Sequence, residues 1–107
     1  MILYNVTVSL DENIEADWLR WMKEDHIPRV MNTGLFVDRK IFKLLSHEQE
    51  GAITYAIQYF ADSINQINDY QDQHAEALQA EHTEKFKDKF VAFRTMLEHV
   101  EYKTMIR

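Results

Sequence analysis

The stretch from Asp17 to Phe36 constrains the fold of this chain more than any other part of the sequence. It contains both tryptophans, the only proline and one of the two glycines. Apolar residues recur at helical spacing from Ile14 onward, which predicts an amphipathic helix. Because Pro28 cannot donate a hydrogen bond to the carbonyl of Glu24, the helix is expected to bend or restart there. Gly34 is a natural left-handed stop, after which a strand should follow directly.

Four segments carry the pattern of β-strands. They are Ile2–Leu10, Leu35–Leu45, Ala52–Phe60 and Val91–Lys103. Asp11, directly after the first strand, is placed to cap the first helix. The polar run 46–51 ends in glycine and predicts a hairpin connection between the second and third strands.

A second helix is predicted after the third strand, with Asp62 or Ser63 as its cap. Residues of its inner face recur near 3.6 spacing: Ile64, Ile67, Gln71, Ala75 and Leu78. A weaker helical stretch is expected from Glu81 to Phe90. The order β-α-β-β-α-β with right-handed crossovers predicts an α+β, ferredoxin-like fold. Residues 1–107 would form one domain, with a four-stranded antiparallel sheet and both helices on one face.

One face of this sheet should remain uncovered by the helices. In the first and third strands it carries Asn5, Thr7, Ser9, Thr54, Ala56 and Gln58. A semi-polar face with few charges suits packing against another sheet around a small cavity. A chain of this length also buries only about two-thirds of its unfolded surface, so a partner subunit would help it. We therefore expect a homodimer formed through the sheet face.

Composition excludes several classes of function. The chain has no cysteine, which excludes disulfides and thiolate metal sites and fits a cytoplasmic location. We expect no secretory signal, because the start of the sequence alternates like a strand, and no apolar run is long enough to span a membrane. The net charge of −6 is shared evenly by the two halves, so we expect no nucleic-acid partner. His47, His74, His82 and His99 show no metal-binding spacing, and we predict no metal.

The long run W-x-x-W-M-x-x-x-H-I-P-x-V-M-x-T-G-x-F, from Trp18 to Phe36, carries a resemblance to a known family. With the strands at both ends of the chain, it resembles short bacterial proteins described as a domain of unknown function in the dimeric α/β-barrel superfamily. The resemblance implies a ferredoxin-like subunit whose sheet packs on a second copy. That superfamily includes cofactor-free monooxygenases, lactone isomerases, haem-degrading enzymes and proteins without known activity. No residue or motif of this sequence specifically indicates binding of haem or another cofactor.

His26 is the candidate catalytic residue. It lies at the proline bend, where an imidazole pointing toward the sheet could act as a general acid or base near neutral pH. The competing interpretation is structural: the ring N–H would bond the carbonyl that Pro28 leaves free. Trp18 and Trp21 could wall a pocket, although tryptophans at helical spacing are more often core.

The remaining candidates are ligand-binding residues. Asn5, Thr7, Thr54 and Gln58 lie on the strand face expected to look into the barrel; alternatively they bond one another or interfacial water. Arg94 interrupts an apolar strand and could bind an anionic substrate. The alternative is an ion pair with an acidic residue such as Glu98 or Asp38. With His26, these residues would line or border one cavity of a small-molecule-binding protein or cofactor-independent enzyme. The other hypothesis is a non-catalytic interaction module that uses the same dimer.

Overall fold

Four antiparallel strands form one sheet in the spatial order β2-β3-β1-β4. The strands are β1 (Ile2–Asp11), β2 (Asp38–Lys43), β3 (Ala52–Ala61) and β4 (Phe90–Glu98). The computed structural model describes residues 1–46 and 50–102. Two helical segments pack on one face of the sheet, which confirms the predicted α+β, ferredoxin-like architecture.

The first helical segment, residues 12–31, is not a uniform α-helix. It runs through a 3₁₀ turn (Glu12–Ile14), α1 (Glu15–Trp21), a π-helical turn (Met22–His26) and α2 (Ile27–Met31). The Asp11 side chain caps its start by accepting a hydrogen bond of 2.9 Å from the N–H of Asn13. The predicted cap is therefore confirmed.

The π-helical turn accounts for the proline in this segment. Ile27 donates its N–H to the carbonyl of Met22, five residues earlier, and Pro28 falls in the first turn of α2. Proline is tolerated in a first turn because its missing N–H has no obligatory partner there. The predicted interruption of the helix at Pro28 thus takes the form of one widened turn.

Gly34 ends the first helical segment in the left-handed conformation, with φ of 78°. The prediction of a direct entry into a strand from Leu35 was wrong, because β2 begins only at Asp38. Phe36 turns into the core, where its ring packs against the rings of Tyr4, Tyr59 and Tyr70. Burying this aromatic ring takes precedence over extending the strand.

The second helical segment is continuous from α3 (Ile64–Tyr70) through a π-helical turn (Gln71–Ala75) to α4 (Glu76–Lys85). The side chain of Gln66 accepts a hydrogen bond of 3.1 Å from the N–H of Ser63, which stabilises its start. The prediction that helix extends to Phe90 was wrong, since Phe90 is the first residue of β4. β4 itself ends at Glu98, short of the predicted end at Lys103, which lies outside the described residues.

The predicted hairpin at 46–51 joins β2 to β3, which pair antiparallel from Asp38 opposite Phe60 to Lys43 opposite Tyr55. Residues 47–49 of this connection lie outside the described part of the chain. Gly51 at its end has φ of 81°, the conformation that glycine adopts without strain.

The two faces of the sheet differ sharply in burial. Tyr4, Val8, Leu10, Tyr55, Ile57 and Tyr59 face the helices and are buried. Tyr55 also fastens the helix to the sheet, because its hydroxyl donates a hydrogen bond of 2.7 Å to Glu15. We call the opposite surface the open face; on β4 it carries Val91, Phe93, Thr95 and Leu97, all exposed.

We predict that Gly34→Val lowers the free energy of unfolding by at least ~1 kcal/mol, because a β-branched residue is strained at positive φ. A Cβ at this position would meet no atom within 4 Å, so the loss reports backbone strain alone. Gly34→Asn is the control and should lose less, since asparagine tolerates this conformation. Chemical denaturation measures both variants, and equal stability of Gly34→Val and wild type would contradict the assignment.

Candidate functional site

A small cavity lies between the sheet and the two helical segments. Its volume is about 20 Å³, and its polar lining residues are His26, Tyr59, Gln79, His82 and Arg94. Apolar side chains of β1, β3 and the first helical segment complete the walls: Val6, Val8, Ile57 and Met22. A cavity of this size can hold one water molecule or one polar atom of a ligand.

His26 closes the π-helical turn and lies inside the protein, with 9% of its surface exposed. Its ring stacks on Trp21 with 5.0 Å between the ring centres. Among the described residues, its Nδ1 atom is buried without a hydrogen-bond partner. The structural alternative, in which the ring N–H bonds a freed carbonyl, therefore does not occur at Nδ1.

His82, from α4, meets His26 with 5.6 Å between the ring centres. The indole N–H of Trp18 donates a hydrogen bond of 2.9 Å to Nε2 of His82. Since an indole N–H can only donate, Nε2 carries no proton and the neutral ring has its proton on Nδ1. The other ring contact of His82 is a parallel stack on Phe90, 3.9 Å between centres.

Both imidazoles are held in their neutral form. Burial lowers the pKa of His26 to about 4, with the charges of Arg94 and Arg29 adding to the effect and Asp25 opposing it. Burial also lowers the pKa of His82 to about 3, with further contributions from His26 and Arg94. Uncharged imidazoles can accept or donate a hydrogen bond without adding charge to the cavity.

Arg94 comes from β4, an edge strand, and is exposed where the cavity meets the solvent. The expected alternative, an ion pair with Glu98 or Asp38, does not occur: within residues 1–46 and 50–102, no carboxylate lies within 4 Å of its guanidinium. Asp38 instead faces Arg39, at 3.8 Å. Arg94 is therefore a cation whose charge is directed at the site.

Tyrosine hydroxyls add to this polar region. Burial raises the pKa of Tyr4, whereas the charge of Arg94 and hydrogen bonding to Arg94, Gln79 and Gln71 oppose the rise. Burial likewise raises the pKa of Tyr59 and of Tyr70. These hydroxyls stay protonated at neutral pH and remain available as hydrogen-bond donors.

The sheet separates the predicted site residues into two groups. His26 and Arg94 meet on the helix-covered side, whereas Asn5, Thr7, Thr54 and Gln58 lie on the open face. Within a single chain these residues do not border one cavity, as had been expected of them together, because alternate residues of a strand point to opposite faces. The alternative, that these residues bond one another, holds for one pair, since Asn5 donates a hydrogen bond of 3.0 Å to Thr7.

The tryptophans divide between core and surface. Trp18 is fully buried, as expected for a core residue. Trp21 is half-buried and donates a hydrogen bond of 3.1 Å to Asp25. Trp21 borders an open groove of about 590 Å³ on the outer side of the helices, together with Glu24, Lys85 and other charged residues.

Sequence reasoning missed His82 as a site residue. The sequence carried a signal, because His82 continues the helical spacing of the inner face four residues after Leu78. The structure shows the side chain buried, with 3% of its surface exposed. The prediction treated the residues from Glu81 onward as a separate, weaker helical stretch, so this periodicity was not followed to His82. Among the described residues, no group of three His, Asp or Glu side chains comes together that could hold a metal ion.

We predict that the free energy of unfolding falls as the pH is lowered from 6.5 toward 5. The pKa values of His26 and His82 are lower in the folded protein than the unfolded value of about 6.5, so the unfolded chain binds more protons in this range. Each histidine contributes up to about 1.4 kcal/mol per pH unit, and the stabilisation is fully present above pH 6.5. Denaturant titrations at several pH values measure the slope.

His82→Phe should lower the number of protons that the chain takes up on unfolding by up to one, and so reduce the slope of stability against pH. His99→Gln, at an exposed position, is the control and should give the wild-type slope. A stability that does not change between pH 6.5 and pH 5 would contradict the buried neutral pair.

Solved structures share this fold at low sequence identity. The chain superposes on an EthD family protein of Bacillus halodurans with a TM-score of 0.64 and 9% identity, covering 94% of this chain and 100% of the other. A dimeric ferredoxin-like protein of an uncultured marine organism matches with a TM-score of 0.63 and 17% identity over 100% of both chains. SnoaB, a cofactor-independent oxygenase of Streptomyces nogalater, matches with a TM-score of 0.61 and 7% identity, covering 94% of this chain and 95% of the SnoaB chain.

Identities this low establish a common fold and leave the activity open. No curated protein matches the chain in sequence. No helix of the described ranges is long and apolar enough to cross a membrane. One family model matches residues 1–100, and the chain therefore belongs to the family DUF4286, a domain of unknown function.

Proposed function

We propose that this chain is a cytoplasmic, homodimeric small-molecule-binding protein of the dimeric α/β-barrel type, with its ligand site at the cavity between His26, His82 and Arg94. The observation that carries the proposal is the buried Nδ1 of His26, which has no partner among the described residues. Leaving such an atom unsatisfied costs about 1–3 kcal/mol, a cost that a binding site recovers when its ligand arrives.

The same geometry supports cofactor-independent chemistry at this site. His26 is neutral at pH 7 and can take up a proton when a bound ligand supplies negative charge to stabilise the imidazolium. Arg94 and the tyrosine hydroxyls would stabilise the charge left on the ligand. Isomerisation by proton transfer and oxygenation of an electron-rich aromatic compound both meet this description.

The open face supports the homodimer. Phe93 is 61% exposed, and Phe42, Val91 and Leu97 on the same face are also exposed. Apolar side chains in such number on one sheet face are characteristic of a surface that a second protein covers. A second sheet packed face to face would bury them, as in other two-sheet assemblies.

A second candidate function is an interaction module without catalysis. The observation in its favour is the cavity volume of about 20 Å³, far below the several hundred Å³ of typical ligand pockets. In this case the dimer would be the function, and the histidine pair would belong to the core.

We predict that the protein sediments at twice the chain mass of 12.8 kDa at micromolar concentration. Phe93→Glu should yield monomers, because it places a charge in the centre of the open face. Met96→Glu is the matched control: Met96 is similarly exposed at 50% in the same strand but faces the other side. A wild-type monomer that keeps its fold would rule out the barrel assembly.

We also predict opposite effects of removing the two histidines. His26→Leu should leave the free energy of unfolding unchanged or raise it by up to about 1–3 kcal/mol, because it removes a buried atom that has no hydrogen-bond partner among the described residues. His82→Leu should cost about 1–3 kcal/mol, because it leaves the buried Trp18 N–H without an acceptor. Denaturant titrations at pH 7 compare the variants. A larger loss for His26→Leu than for His82→Leu would make His26 a structural residue and contradict the proposed site.

A further inference from the structure

The polar atoms that line the cavity are mostly hydrogen-bond donors. Nε2 of His82 already accepts a hydrogen bond from Trp18, so the polar group that His82 can offer to the cavity is its Nδ1–H. The guanidinium of Arg94 can only donate, and the buried hydroxyl of Tyr59 stays protonated at neutral pH. His26 can add a further N–H through its unpartnered Nδ1. Gln79 adds an amide that can accept as well as donate, so the cavity offers more donors than acceptors around a space for one atom.

No carboxylate competes for these donors. The one carboxylate whose charge raises the pKa of His26 is that of Asp25, and both of its oxygens are already bound. One oxygen lies 2.8 Å from Arg29, and the other accepts the N–H of Trp21 at 3.1 Å. An anionic acceptor for the donors of the cavity must therefore come from outside the described part of the chain.

The surroundings favour an acceptor that carries negative charge. Apolar side chains form the floor of the cavity, and a low dielectric strengthens the attraction between an anion and Arg94. A neutral carbonyl would gain only ordinary hydrogen bonds, whereas an anionic oxygen gains charge-assisted ones. Donors preorganised around a single position are the arrangement that stabilises an oxyanion.

The geometry points to an oxyanion pocket: we propose that it binds one oxygen of a small organic carboxylate or enolate, whose body extends past Arg94 at the edge of β4. This inference rests on the proposed function, since it names the ligand class of the same cavity. The volume of about 20 Å³ admits one oxygen atom and excludes the rest of the molecule. Arg94, exposed at the edge strand, is placed to hold the second oxygen or the charge at the mouth.

The experiment titrates four probes at constant ionic strength: acetate and benzoate, with acetamide and benzamide as neutral analogues of the same shape. Imidazole ¹H–¹⁵N correlation spectra follow His26 and His82, and the indole N–H of Trp18 reports on its bond to His82. The two carboxylates should shift these signals saturably at concentrations up to ~100 mM and bind at least about tenfold more tightly than their amides.

Arg94→Gln should weaken carboxylate binding at least about tenfold and amide binding by a smaller factor. Arg20→Gln is the control, because it removes the same kind of charge from an exposed helix position that is paired with Asp17. Amides that bind as tightly as carboxylates, or an Arg94→Gln variant that binds carboxylates normally, would overturn the oxyanion pocket while the binding site itself stands. If none of the four probes shifts either imidazole, both the oxyanion pocket and the proposed ligand site are wrong.

Discussion

The hydrogen bond from Trp18 to His82 is the interaction on which the helix-covered side depends. It joins the two helical segments through two side chains that are almost fully buried. It also determines the tautomer of His82 and so the kind of atom that the ring presents to the cavity. Arg29 adds a second connection between the same segments through both oxygens of Glu81, but that pair is exposed and contributes little to stability.

Two histidines in one cluster therefore have different physical status. His82 is satisfied by Trp18 and stacked on Phe90, so its position is determined by packing. His26 stacks on Trp21 but leaves Nδ1 without a partner among the described residues. A protein keeps an unsatisfied buried nitrogen at a cost in stability, and such costs concentrate at functional sites. This difference is the reason why we propose His26, and not His82, as the residue of the pair with a role beyond folding.

The two faces of the sheet differ in what covers them. Its helix-covered face holds the core and the cavity, and the cavity meets the solvent at β4. Its open face holds exposed Phe42, Phe93 and Leu97 with no element of the described chain to cover them. A dimer formed through the open face would leave the entrance at Arg94 on the other side of the sheet, so ligand binding and assembly need not compete for the same residues.

The sequence by itself determined the order of elements, the cap at Asp11 and the left-handed stop at Gly34, and it narrowed the second cap to Asp62 or Ser63, because these features depend on local periodicity and backbone preference. It also predicted a role for His26, from its place at the proline bend, and for Arg94, from its place in an apolar strand. Tertiary structure decided the rest. It buried Phe36 at the expense of the start of β2, and it paired His82 with Trp18, 64 residues away in the chain. It also placed Asn5, Thr7, Thr54 and Gln58 on the opposite side of the sheet from His26. The physical reason is that the helices, which carry His26, cover only one face of the sheet, and these four side chains point to the other.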